Sequence, residues 1–505
     1  MPSEGQSPGA SPQPGHQGPD YASKRPVAHF VTEYWPYART GGLAEAVHGV
    51  ANQLQQRDVD TSVVLPLYPS VRPATGDLDP VGEPFDVQMG DRVEEARLFQ
   101  ARRTGDGPRV FFVESREYFD RDGIYGERGT DYPDNHRRFG FFCRAALQAL
   151  PRISPDPPLL HAHDWHTSLA PVFLGTILAG DPYYDAIPRV LSVHNAGFQG
   201  HFGPEVLPEL GLSADLLHWT RLEWYGKVNF LKGGLVYSDM ITTVSPGHAH
   251  ELRTPGGGFG LHDTFIDLQD RFHGILNGID LHAWDPATDP ALAATYSPQD
   301  MSGKAECKRW LQRMARLEES PGTPLCCMSA RMVQQKGIDL ILGADLLQWD
   351  DVQYVFLGSG QPNYEEALAA LAASSPGRIV TRFDFTDERE HTLLAGADIL
   401  LMPSLYEPCG LTQMRAQRYG VLPVARRVGG LADTVDDQVT GFLFDEYSAE
   451  SLERALRRAI GLYEDQVAWS WHVQKAMSRD FGWGRSAERY LRIYGRAEAR
   501  RAREM

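Results

Sequence analysis

The sequence predicts an α/β protein built from two Rossmann-like domains. Short apolar runs rich in β-branched residues alternate with longer amphipathic stretches, the mark of βαβ units around mostly parallel sheets. At 505 residues the chain exceeds what a single hydrophobic core organises. A glycine-opened segment near one end, RTGGLAEAV (39–47), is echoed by RVGGLADTV (427–435) near the other. Two such helix starts, one per half, suit an anionic ligand gripped in a cleft between similar domains.

In the first half, strands are expected over 27–31, 62–67, 110–113, 159–162, 190–193 and 240–244. A helix starts at Gly41 and Gly42, because Leu43, Val47, Val50 and Leu54 recur at helical spacing. In the second half, strands fit 325–329, 354–358, 379–383, 399–402 and 422–424, and a helical pattern covers 448–462. A boundary falls within 272–285, where strand, turn and Pro-terminated loop follow one another. The Arg-rich stretch 485–501 reads as a charged terminal helix. The expected division is a disordered Pro/Gly/Ser/Gln-rich tail (1–24), a first domain (25–272), a second (273–484) and the terminal helix (485–505).

Composition narrows the function. An apolar content of 42% with 23% charged residues describes an ordinary globular protein. Lys and Arg number 49 against 66 Asp and Glu, a net −17 that argues against a nucleic-acid or acidic-membrane binder. The five cysteines are scattered and form no CxxC, so neither a disulfide framework nor a zinc site is indicated. Apolar runs are strand length, far short of a membrane span. A reducing cytoplasm fits these features.

Five constellations carry chemistry. Arg39-Thr40-Gly41-Gly42 follows a strand, so its amides, helix start and guanidinium suit a phosphate; a tight turn with a solvated arginine is the alternative. HAHDWHT (161–167) packs His161, His163 and Asp164 at a strand end. A metal site would need further Cys or His partners, and lining the carboxyl end of the sheet is the preferred reading. SVHNAGFQGHF (192–202) places His194 and Asn195 in the same way. SARMVQQKG (329–337) puts Arg331 and Lys336 on a second-domain loop, where two cations can stabilise a departing diphosphate. Glu407, just before Pro408-Cys409-Gly410-Leu411-Thr412, can bond sugar hydroxyls while the amides behind it take phosphate. It equally suits a helix-start acid. Cys409 lacks a local His/Asn pair and reads as a packing thiol.

Together these runs resemble the bacterial glycogen and plant starch synthases, retaining glycosyltransferases of the GT-B type. The matching pieces also include NFLKGGLVYSDMITTVSP (229–246), GILNGID (274–280) and PSLYEPCGLTQ (403–413), in the family's order from about residue 27 to the last helix. The resemblance implies two Rossmann-like domains facing across a deep cleft, with the last helix crossing back to the first. It also implies glucose transfer from ADP-glucose to the nonreducing 4-OH of an α-1,4-glucan, with retention and without metal or other cofactor. By matching position, Arg331 and Lys336 would hold the diphosphate. Glu407 with the amides of Cys409, Gly410 and Leu411 would orient glucose, with Thr412 near phosphate. Asp164 and His194 would line the sugar and acceptor side, with Asn195 beside them, and Tyr125 and Asn277 would lie close to the ligands. Three departures stand out: Arg39 where the family usually has Lys, Glu45 where Asp is usual, and a glycine-rich loop at 254–262.

Two other readings keep the scaffold: a UDP-glucose enzyme, and a catalytically silent glucan-binding protein. A dinucleotide oxidoreductase fits poorly, because Gly41-Gly42 lacks GxGxxG spacing.

Overall fold

Two parallel sheets share one strand order. The computed structural model describes residues 24–71, 78–102, 105–127 and 129–505. The expected polar tail lies, up to residue 23, outside the described residues. Parallel strands of the first sheet are Val27–Phe30, Thr61–Pro66, Arg109–Glu114, Leu159–His163, Arg189–Val193, Met240–Thr243 and Phe272–Gly274. Numbered in chain order, they lie 3-2-1-4-5-6-7. The second sheet, Leu325–Ser329, Gln353–Leu357, Ile379–Arg382, Ile399–Met402, Leu422–Arg426 and Phe442–Phe444, lies 3-2-1-4-5-6. This doubly wound order opens a crevice at the carboxyl ends of strands 1 and 4, where the winding reverses.

The expected parallel strands form within one or two residues of their places, and Phe442–Phe444 is a parallel edge strand that the sequence reading does not anticipate. Most are buried on both faces, as Thr61–Pro66 is at every position, which explains their unbroken apolar runs. The sequence reading misses an antiparallel edge made by Leu78–Pro80, Phe85–Met89 and Arg92–Ala101. Phe85–Met89 alternates buried and exposed, because only one of its faces meets the core. Also missed is a small antiparallel sheet of His201–Phe202, Lys227–Asn229 and Glu223–Trp224.

The helix Gly42–Gln55 buries Leu43, Val47, Val50 and Leu54 against the first sheet, as its spacing requires. In the second domain, Ala449–Tyr463 is opened by Ser448, whose hydroxyl accepts the Ser451 amide at 3.3 Å. The last helix, Gly484–Glu504, packs Tyr490, Ile493, Tyr494 and Ala497 against Val27, Val50, Leu54 and Leu159 of the first domain. Gly49 permits this approach, since a Cβ there would lie 2.1 Å from the Trp483 ring. Arg501 forks onto Asp239 at 2.6 and 3.2 Å, pinning the far end of the helix. No helix among the described residues is long and apolar enough to cross a membrane.

Candidate active site

The residues singled out in the sequence gather at the two winding reversals. After the first strand of the first domain, the buried Glu33 carboxylate accepts the amides of Thr40 at 2.5 Å and Gly41 at 3.1 Å. Tyr125 donates its phenol to the same carboxylate at 2.5 Å and stacks on His166 at 4.4 Å. The Gly41 amide, expected to meet a ligand's phosphate, is therefore engaged by an acid of the chain itself, because buried polar groups pair with what is nearest. The echoing turn behaves alike. Gly429 donates its amide to Glu251 at 2.7 Å, and Gly430 donates to the Glu407 carbonyl at 3.0 Å. Sequence reasoning singled out neither Glu33 nor Glu251.

The open helix start is the one at 409–412. Among the described residues, no protein acceptor meets the amides of Cys409, Gly410, Leu411 or Thr412, where the helix Thr412–Arg418 begins. Leu411 faces the first domain: a Cβ on Gly42 would lie 3.7 Å from its Cδ1. The two glycine-bearing turns thus oppose each other across the cleft.

Beside these amides, Lys336 Nζ bonds Glu407 Oε2 at 2.5 Å, and the Ser404 hydroxyl adds a bond of 3.2 Å. Glu407 is 5% exposed. The loop carrying Lys336 reaches it through Gly337, whose φ is +76° and whose Cβ would lie 2.1 Å from the Pro403 carbonyl. Arg331 is exposed on the same loop; its carbonyl accepts the Val333 amide at 2.9 Å, while its guanidinium has no hydrogen bond or ion pair among the described residues. Its guanidinium is available to an anion. Cys409 is buried with the Asn277 backbone against its thiol; burial pushes that thiol far up, so it remains a packing group.

On the first-domain side, Asp164 sits at φ +57° after the strand Leu159–His163. Its Oδ1 accepts the amides of His194 at 2.6 Å and Asn195 at 3.3 Å. Burial pushes this carboxyl up to about 7, against the pull of those two amides. Burial lowers His194 to about 3, which keeps its imidazole neutral. His194 Nε2 bonds His163 Nδ1 at 3.0 Å, and His163 Nε2 bonds His29 Nδ1 at 3.0 Å. A neutral imidazole donates at one nitrogen and accepts at the other, so a single direction of donation satisfies this run. Asn195 Oδ1 accepts the Gly197 amide at 2.9 Å, and the Asn195 side chain also bonds the Tyr406 phenol.

His29, on a neighbouring strand, supplies the distant partner that the sequence did not reveal for His161 and His163. Nitrogens of the three lie within 4.8 Å of one another. Yet both nitrogens of His161 are bonded, to Tyr494 at 2.8 Å and Ser192 at 2.7 Å, and both of His163 are bonded to histidines. A metal would have to break these bonds, since ligation requires nitrogens aimed at one point about 2.0–2.1 Å away. His29 and His163 form a hydrogen-bonded support for His194, while His161 ties to Ser192 and Tyr494.

Arg39 differs from the expected free cation. It forks onto Asp387 of the second domain at 2.6 and 3.1 Å and reaches Glu45 at 3.3 Å. Glu45 in turn bonds Arg415, which also holds the buried Glu390 at 2.9 Å. Two departures from the family pattern share one physical reason. A planar fork matches a carboxylate where an ammonium cannot, and Glu extends one methylene further than Asp across the interface.

Comparison with known proteins identifies the family and the fold. Residues 26–267 match the starch synthase catalytic domain family, and residues 312–475 match glycosyl transferases group 1. A glycogen synthase of Syntrophotalea carbinolica is 44% identical, covering 92% of this chain and 98% of its own. One from Anaeromyxobacter dehalogenans is 42% identical over 93% and 98%. Among solved structures, the catalytic domain of starch synthase IV from Arabidopsis thaliana, bound to ADP and acarbose, superposes with a TM-score of 0.87. It is 33% identical and covers 94% of this chain and 100% of that one. Sucrose-phosphate synthase from Thermosynechococcus elongatus shares the fold, with a TM-score of 0.60 at 17% identity over 93% of this chain and 98% of its own. The chain belongs to the glycogen and starch synthase family of GT-B glycosyltransferases.

Proposed function

We propose that this enzyme transfers glucose from ADP-glucose to the nonreducing 4-OH of an α-1,4-glucan, retaining configuration. One observation carries the reading: a cationic loop and a row of unengaged amides flank Glu407 at one winding reversal, facing Asp164 and His194 at the other. The ADP bound to the Arabidopsis starch synthase supports the choice of nucleotide.

In this reading Arg331 and Lys336 pair with the diphosphate, and the amides of Cys409, Gly410 and Leu411 add fixed dipoles, with Thr412 near phosphate. As the C1–O bond breaks, its electron pair moves to the leaving phosphate oxygen, where these groups stabilise the charge. Glu407 bonds hydroxyls of the glucose and holds Lys336 in place. The acceptor 4-OH attacks C1 on the face the diphosphate leaves and passes its proton to the departing phosphate. Asp164, His194 and Asn195 line the sugar and acceptor side, with the histidine run fixing the His194 ring. Tyr125, Asn277, Gly41 and Gly42 shape the walls, and Arg39 reaches the donor only by releasing Asp387. Closure of the domains excludes the water that would otherwise hydrolyse the donor.

Glucan elongation on glycogen, measured separately with ADP-glucose and UDP-glucose, tests this. ADP-glucose is expected to extend chains with α-linkages. Exclusive use of UDP-glucose overturns the donor assignment, and glucan binding without transfer from either donor marks a silent scaffold.

A further inference from the structure

The hairpin Glu223–Trp224/Lys227–Asn229 turns through Tyr225 and Gly226, both at positive φ (48° and 77°). Positive φ at both central residues belongs to a type I′ turn, whose first position normally takes Asn, Asp or Gly, because a bulky residue is strained there. Here it holds a tyrosine that is 82% exposed, so no core packing of its ring offsets the strain. Trp224 stands edge-on to that ring at 4.8 Å, and His201 stacks flat on Trp224 at 4.2 Å. Trp219, 69% exposed, lies in the segment just before the hairpin. Lys232 Nζ donates to the carbonyls of Trp219 and Glu223 at 2.6 Å each, tying their segments together.

The face is continuous with the cleft. Trp224 Nε1 donates to the Gly260 carbonyl at 3.1 Å. The preceding residue, Phe259, sets its ring edge-on to Tyr406 at 5.1 Å, and Tyr406 adjoins Glu407. Gln199 donates to the Phe259 carbonyl at 2.9 Å and accepts from Asn229 at 2.6 Å, joining hairpin and loop.

We propose that Trp219, Trp224 and Tyr225 form a stacking platform that holds a stretch of α-glucan outside the cleft. The platform leads the nonreducing end past Phe259 and Tyr406. It rests on the glucan reading above. A pyranose ring offers a flat C–H face to an aromatic ring and hydroxyls at its edge, so the exposed rings of Trp219 and Tyr225, with the half-buried Trp224 beside Tyr225 and His201 stacked on Trp224, match it. A glucan is uncharged, so the net −17 that repels acidic partners does not oppose it.

Tyr225→Asn and Trp219→Ala, singly and together, test the platform. Tyr225→Asn relieves the turn, so its thermal stability is expected to hold or rise. Retardation by glycogen in native gels is expected to weaken by about tenfold in Kd for the double variant. KM for glycogen should rise with it, while kcat on maltotriose stays unchanged. Unaltered glycogen retardation overturns the proposal. So does loss of self-association in sedimentation with glycogen binding intact, which would make the face a contact with a second copy. Retardation needs no donor: a wild type that is retarded yet transfers nothing sinks only the proposed function, and one that glycogen does not retard sinks the platform.

Discussion

Lys336 Nζ lies 2.5 Å from Glu407 Oε2, and the two residues come from the loops after adjacent strands, 71 positions apart. Each fixes the other at the winding reversal of the second domain. Glu407→Gln keeps the shape but removes the charge that positions Lys336, so kcat is expected to fall by about 10²–10³-fold. The melting temperature should move only a few degrees, because Lys336 remains partly hydrated, 17% exposed. Steady-state kinetics beside a thermal melt checks this; near-normal turnover in a folded variant removes Glu407 from the site.

Arg39 forks onto Asp387, so in the proposed function it reaches the donor only by leaving that carboxylate. The pair is solvent-reached, with side chains 28% and 53% exposed, so its loss should cost under about 1 kcal/mol of stability. Asp387→Ala frees the guanidinium, and KM for the nucleotide sugar is expected to drop by about fivefold, equivalent to about 1 kcal/mol. Donor titrations at fixed glycogen read this out, and a raised KM would contradict it.

Asp164 links stability to pH. Its folded value of about 7 lies above the ordinary 3.8, so the folded state binds this proton more tightly than the unfolded chain does. The resulting stabilisation is full below 3.8, is lost as pH rises to about 7, and is absent above. Asp164→Asn does not titrate. The melting temperature of the wild type relative to this variant is expected to fall between those limits and then flatten; parallel curves would refute the assignment.

Tyr494 anchors the last helix through its 2.8 Å bond to His161. Tyr494→Phe leaves a buried imidazole nitrogen without that partner, at a cost of about 1–3 kcal/mol. A lower melting temperature with unchanged activity at 25 °C is expected from calorimetry and assay.

The sequence shows the parallel strands clearly because burial on both faces writes them as unbroken apolar runs. It hides Arg92–Ala101, where charged outward residues interrupt the apolar set. Glu407, Arg331, Lys336, Asp164 and His194 stand out because each follows a strand, where α/β folds collect ligand-binding groups. The bonds among them are less visible. Arg39 and Asp387 lie 348 positions apart, and His29 meets His163 only through strand pairing. Glu33 takes the Gly41 amide through a turn whose shape no local spacing records. An acid a few residues beyond a strand, just ahead of a glycine pair, is the signal that would have marked it.

The central claim is that a nucleoside diphosphate sits between the two winding reversals. A crystal structure with ADP tests it most directly. The β-phosphate is expected within hydrogen-bond distance of Lys336, Arg331 and the amides behind Glu407. ADP bound anywhere outside that gap, with those groups unchanged, would contradict the account.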